Sequence, residues 1–138
     1  MLVTHVLIVD DDDAIRETLR LILEDAGYTV LDECDGPSAL RRLRQSRRPM
    51  VVLLDLMMPG MSGARVLEEV ANDSSLVKRY SFILVTAGNN AQIIAISRLL
   101  SSLVVPVIRK PWDIEVLLQA VAAAAERISN LQRLEEVG

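Results

Sequence analysis

Five short runs of β-branched and aliphatic residues recur along the chain, separated by stretches with helical periodicity. The runs are HVLIVD (5–10), YTVLDE (28–33), MVVLLDL (50–56), SFILVTA (81–87) and LVVPVI (103–108). Three of them are almost continuously apolar, the pattern of parallel strands covered on both faces. Between them Ile15, Leu19, Ile22 and Ala26 fall at spacings of 4, 3 and 4 ahead of Gly27, which suits a helix stop. Leu40 and Leu43, then Val66, Leu67 and Val70, then Ile93, Ile96 and Leu100 mark three further helices. A last one starts near Asp113, a good N-cap, and runs through Leu117, Val121, Ala124 and Ile128. This alternation predicts an α/β fold, a (βα)5 doubly wound parallel five-stranded sheet of flavodoxin-like order 2-1-3-4-5. Strand five is then an edge, where Pro106 is tolerated.

The chain's 138 residues suit one domain. We expect a globular unit over residues 1–127, with 128–138 as a C-terminal helix extension or the start of a linker. At 51% hydrophobic residues and mean hydropathy +0.30 there is ample material for a core, and disorder is excluded. The formal net charge of -4 and an aromatic content of 3% speak against a direct nucleic-acid binder. Cys34 is the only cysteine, so neither an internal disulfide nor a multi-cysteine metal cage is expected. No targeting segment and no uncharged run approaching the ~20 residues of a membrane helix is present, so a soluble cytoplasmic protein is expected.

Ligands of open α/β sheets bind beyond the carboxyl ends of the strands, where the winding reverses. Strand one ends in Asp10, Asp11, Asp12 and Asp13, strand three in Asp55, strand four in Thr86, and strand five is followed by Lys110 and Pro111. Carboxylates ~5 Å apart on adjacent strands repel by about 3 kcal/mol per pair at an effective dielectric of ~20. An all-oxygen cluster of this kind calls for Mg²⁺, and a lysine and a hydroxyl beside it complete a site for a phosphoryl group. Plainer readings stand beside this one. An acidic run at a helix start also serves as an N-cap, His5 lies at the opposite end of strand one, and the Arg41, Arg42, Arg44, Arg47 and Arg48 stretch reads as a solvated face.

The segments VLIVDDDDAIR, LLDLMMPGMSG, ILVTAG and IRKPW closely resemble the signatures of the receiver domain of two-component response regulators, over residues 4 to about 127. The resemblance implies that Asp55 is phosphorylated, that Asp10, Asp11, Asp55 and the Met57 backbone carbonyl ligate Mg²⁺, and that Thr86 and Lys110 contact the phosphoryl group. It implies a cis Lys110–Pro111 bond as well. The phosphoryl donor is then a sensor histidine kinase or histidine phosphotransfer protein, and the domain is a signalling phosphoacceptor rather than an enzyme on other substrates. Residues two after the aspartate and two after the threonine influence hydrolysis in this family. Here they are Met57 and Gly88, which predicts a long-lived acyl phosphate. The chain departs from the family at Val107, three residues before the lysine, where an aromatic side chain is usual.

Two other readings use some of the same residues. A phosphatase of the haloacid-dehalogenase type would use Asp10 and Asp12 as a D-x-D pair, leaving Asp55 unexplained. A phosphorylation-independent interaction module of the same fold would not need the acids. The fourth helix carries Ile93, Ile94, Ile96, Leu99 and Leu100, more apolar residues than one stripe requires. With strand five and the alanine-rich fifth helix this face predicts a homodimer contact. Leu117, Val121, Ala124, Ile128 and Leu131 continue at 4, 3, 4, 3 spacing, as in a coiled-coil seam.

Overall fold

The computed structural model describes residues 2–137, with side chains to residue 134. The strands are β1 (His5–Val9), β2 (Thr29–Glu33), β3 (Met50–Leu54), β4 (Tyr80–Thr86) and β5 (Val107–Arg109), and the helices are α1 (Asp13–Asp25), α2 (Gly36–Gln45), α3 (Gly63–Ala71), α4 (Ser74–Arg79), α5 (Asn90–Ala95), α6 (Ser97–Leu103) and α7 (Ile114–Val137). All strand pairs are parallel, in the order β2-β1-β3-β4-β5, as the alternating pattern predicts.

Side-chain alternation divides the central strands between two cores. Leu7, Val9, Val52, Leu54, Phe82 and Leu84 face α2, α3, α4 and α6, whereas Val6, Ile8, Val51, Leu53, Ile83 and Val85 face α1 and α7. Burial on both faces is why β1, β3 and β4 read as unbroken apolar runs. α1 stops as Gly27 enters the left-handed region at φ +96. The Gly27 N–H then donates to Glu24 O and the Tyr28 N–H to Leu23 O, which satisfies two carbonyls of the last turn. Leu23 is fully buried and Ala26 exposed, so the inward stripe of α1 runs through Leu23 rather than Ala26.

Four local readings differ from the structure. Only the last two residues of LVVPVI are strand: Leu103 ends α6, Val104 turns left-handed at φ 56, and β5 starts after Pro106, whose carbonyl accepts from Leu84 N–H at 2.9 Å. The expected fourth helix is two segments, α5 and α6, broken at Ile96. α4 was not expected; Asp73 caps it by accepting from the Ser75 N–H. The seam on α7 is core, because Leu117, Val121 and Ala124 pack against the sheet and Ile128 is buried, with Leu131 exposed. A repeat of three and four residues is the same whether the helix faces its own sheet or a second helix.

α7 continues past residue 127 without a break, and its next turn is tied down: Ile128 is buried and Ser129 Oγ accepts from the Val3 N–H at 3.0 Å.

Candidate functional site

The carboxyl ends of β1, β3, β4 and β5 bring Asp10, Asp55, Thr86 and Lys110 to one rim, as the strand-end reading requires. Asp55 follows β3 directly and is placed by its own backbone, whose N–H donates to Val9 O at 2.9 Å. Lys110 follows β5 and is placed in the same way, its N–H donating to Thr86 O at 2.9 Å. Oxygens of Asp10, Asp11 and Asp55 all lie within 4.8 Å of one another. Asp10 and Asp55 are buried at 2% and 5% exposure, while Asp11 is exposed. The Lys110 ammonium donates to Asp10 Oδ2 at 2.7 Å and stands 3.5 Å from Asp55 Oδ2.

Burial pushes the Asp55 carboxyl above the usual carboxylate range, and the charge of Asp10 adds to the push. Lys110 and the Met57 N–H, which donates to Asp55 Oδ1 at 3.4 Å, pull the other way. Asp10 Oδ1 accepts from the Asp12 N–H at 2.9 Å, and Arg16 Nη1 donates to the Asp10 carbonyl at 2.7 Å. Thr86 is fully buried, and its hydroxyl oxygen accepts from the Gly88 N–H at 2.9 Å.

The acidic run divides between two jobs. Asp12 caps α1, its Oδ1 accepting from the Ala14 and Ile15 N–H groups at 2.9 and 3.2 Å, and Asp13 lies in the first helical turn. Asp10 and Asp11 face Asp55 instead. Asp12 is thus used at the helix terminus while Asp55 joins Asp10 and Asp11, an arrangement that does not favour the D-x-D pair of the phosphatase reading. His5 lies at the far end of β1. Arg42 pairs with Glu33 and Arg44 with Glu69 on the α2 surface. Val107 is half-buried against the core beneath α6. The Lys110–Pro111 bond is cis.

Gly63 belongs to the site although no chemistry marks it. Its N–H donates to Leu56 O at 3.0 Å, and a Cβ there would stand 2.2 Å from the Asp55 carbonyl oxygen. Only glycine lets α3 start so close to the turn that carries Asp55.

The comparisons with known proteins agree with this geometry. The family model described as "Response regulator receiver domain" matches residues 6–122. The chain belongs to the response regulator receiver family. It is 34% identical over 127 residues to "Transcriptional regulatory protein CseB" of Streptomyces avermitilis, covering 92% of this chain and 51% of that one. It is 32% identical over 119 residues to "CAI-1 autoinducer sensor kinase/phosphatase CqsS" of Vibrio cholerae, covering 86% of this chain and 17% of that one. The receiver chain thus spans about half the length of the first relative and a smaller part of the second.

Among solved structures, a CheY-like receiver domain protein from Methanospirillum hungatei superimposes with a TM-score of 0.77 at 33% identity, covering 91% of this chain and 97% of that one. The response regulator StyR gives a TM-score of 0.83 at 26% identity, covering 96% of this receiver and 64% of that chain. The protein is therefore a receiver domain of the two-component signalling class. Its acidic cluster has the oxygen-only donor set that suits Mg²⁺. Among the described residues no helix is long and apolar enough to cross a membrane.

Proposed function

We propose that Asp55 is the phosphoacceptor of this receiver, taking a phosphoryl group from the phosphohistidine of a sensor histidine kinase or histidine phosphotransfer protein. The observation that carries the reading is the convergence of three carboxylates within 4.8 Å beside the Lys110 ammonium. An Asp55 carboxylate oxygen attacks phosphorus. A P–O bond forms as the donor's P–N bond breaks, and the imidazole nitrogen keeps the electron pair.

Asp10, Asp11, Asp55 and the Met57 carbonyl are the groups that would hold Mg²⁺, which supplies positive charge against the phosphoryl oxygens. Lys110 exchanges part of its contact with Asp10 for a phosphoryl oxygen. The Thr86 hydroxyl donates to another. The acyl phosphate then shifts the domain between two populations.

In this reading the chain works in the cytoplasm and catalyses only its own phosphorylation and dephosphorylation. Ile94, 69% exposed on α5, and the exposed Ala122 and Ala123 on α7 flank β5 and form the surface for a second copy. Light scattering with and without phosphorylation tests that contact.

The site is tested by incubation with Mg²⁺ and acetyl phosphate followed by peptide mass spectrometry. Phosphate on Asp55 supports the reading; phosphate on Asp10, or none, overturns it.

A further inference from the structure

β4 and β5 pair in a register that sets Thr86 opposite Arg109. From there a chain of hydrogen bonds leads out of the site. The Thr86 hydroxyl oxygen accepts from the Gly88 N–H at 2.9 Å, and the Gly88 carbonyl accepts from Arg109 Nη1 at 2.6 Å. Arg109 Nη2 donates to Asn90 Oδ1, on the first residue of α5. One guanidinium thus holds the β4–α5 loop at two points, using the paired donors of its planar fork.

The loop is held independently on its helix side. Asn89 and Gln92 form a capping box, with the Asn89 N–H donating to Gln92 Oε1 at 2.8 Å and the Gln92 N–H donating to Asn89 Oδ1 at 2.9 Å. The start of α5 therefore moves as a unit with Asn90. Among the described residues, Arg109 is the one β5 side chain that hydrogen-bonds this loop. Val107, at the other end of β5, has no polar atom with which to do so.

Gly88 is buried. If Thr86 Oγ1 itself rotates away from Gly88 to reach a phosphoryl oxygen, the Gly88 N–H loses its acceptor and the loop must shift to find another. A shift of Gly88 pulls its carbonyl off the Arg109 fork.

We propose that Arg109 is a positioning residue that latches the start of α5 in the resting state and releases it when Thr86 engages the phosphoryl group. It does so from β5, the strand on which Val107 stands where the family usually has an aromatic side chain. The proposal rests on the phosphoacceptor reading above. A contact present only in the resting state biases the equilibrium toward that state, so its removal moves the unmodified protein toward the released one.

The test follows hydrogen exchange over residues 87–96 in the wild-type chain, Arg109→Ala and Arg109→Lys. Each is measured before and after treatment with acetyl phosphate and Mg²⁺, with Asp55 phosphate counted separately by mass. Exchange in this segment is expected to rise several-fold on phosphorylation of the wild type. In Arg109→Ala it is already raised without phosphate and changes less than twofold on phosphorylation, while Asp55 still takes up phosphate. Arg109→Lys, which keeps a donor, restores part of the slow resting exchange. A wild-type response in Arg109→Ala overturns the latch, as does faster exchange spread equally over β4 and β5, which signals general loosening. If wild-type Asp55 takes up no phosphate, the phosphoacceptor reading fails and takes the latch with it.

Discussion

Lys110 Nζ lies 2.7 Å from Asp10 Oδ2, across a sequence separation of 100 residues. The pair joins the end of β1 to the end of β5 across the ends of the intervening β3 and β4. Among the described residues Lys110 is the one side-chain cation in ion-pair range of Asp10 and Asp55.

Its removal leaves two buried carboxylates facing each other. Lys110→Met is therefore expected to destabilise the Mg²⁺-free protein by about 2 kcal/mol. Millimolar Mg²⁺ recovers part of the loss by replacing the missing positive charge. Urea denaturation with and without Mg²⁺ measures both effects, and unchanged stability without Mg²⁺ would falsify the pairing's role.

Asp55→Asn removes the nucleophile and one of the clustered charges. It is expected to abolish phosphoryl uptake and to raise Mg²⁺-free stability by about 1 kcal/mol. Burial raises the folded-state pKa of Asp55 above its unfolded value of ~3.9. Between those two values the folded protein binds more protons than the unfolded chain, so wild-type stability falls as pH rises through that window. The advantage of Asp55→Asn is therefore absent below the unfolded pKa, grows with pH, and levels off above the folded one. Mg²⁺-free denaturation midpoints from pH 4 to 8 trace this curve. A gap that shrinks with rising pH contradicts it.

Val104→Gly is expected to stabilise the protein by about 0.5–1 kcal/mol. Val104 caps α6 at φ 56, a left-handed conformation that a β-branched side chain adopts only under strain. At 58% exposure it loses little burial on truncation, and its carbonyl still accepts from Arg127. Thermal denaturation gives the sign directly.

The strand ends were legible because a charge or hydroxyl closing a buried apolar run has few structural uses. Asp55 after MVVLL and Thr86 closing SFILVT stand out for that reason. Gly63 and Arg109 did not stand out. The first matters through a backbone contact with Asp55, and the second through a fork onto Gly88 and Asn90; neither relation leaves a periodic trace. The β5 boundary is not legible in LVVPVI because its aliphatic and β-branched residues run on from the end of α6 into the strand, and nothing in Val104 announces a left-handed turn. α4 has six residues, too few for the 3.6-residue period to show against its neighbours.

Gly63→Ala is expected to cost about 2 kcal/mol or more, because the new methyl meets main chain rather than a flexible side chain. The displaced group is the carbonyl of Asp55, so phosphoryl uptake should slow along with the loss of stability. Gly60→Ala is the comparison. Gly60, unlike Gly63, has positive φ, at 77, and open space around it, and there the cost is backbone strain with uptake preserved. Equal uptake by the two variants contradicts the close-approach argument.

Hydrolysis of the acyl phosphate requires a water placed in line with the P–O bond to Asp55; attack breaks that bond and releases inorganic phosphate and the free carboxylate. Met57 is 52% exposed beside the site, and its thioether accepts from Gln92 Nε2 at 3.2 Å. A thioether neither deprotonates water nor orients it well. Met57→Asn places a carboxamide there and is expected to speed decay of the phosphoprotein several-fold. Gly88→Glu is a poorer probe than the sequence suggests. A Cβ at residue 88 would lie 3.0 Å from Gln92 Oε1 and 3.2 Å from Thr86 Oγ1, so the substitution disturbs the Thr86 loop as well as adding a polar group. The decisive measurement is the first-order loss of Asp55 phosphate, by mass, in wild type and Met57→Asn after the phosphodonor is removed. Equal rates show that the side chain at residue 57 does not control water at the phosphoryl group.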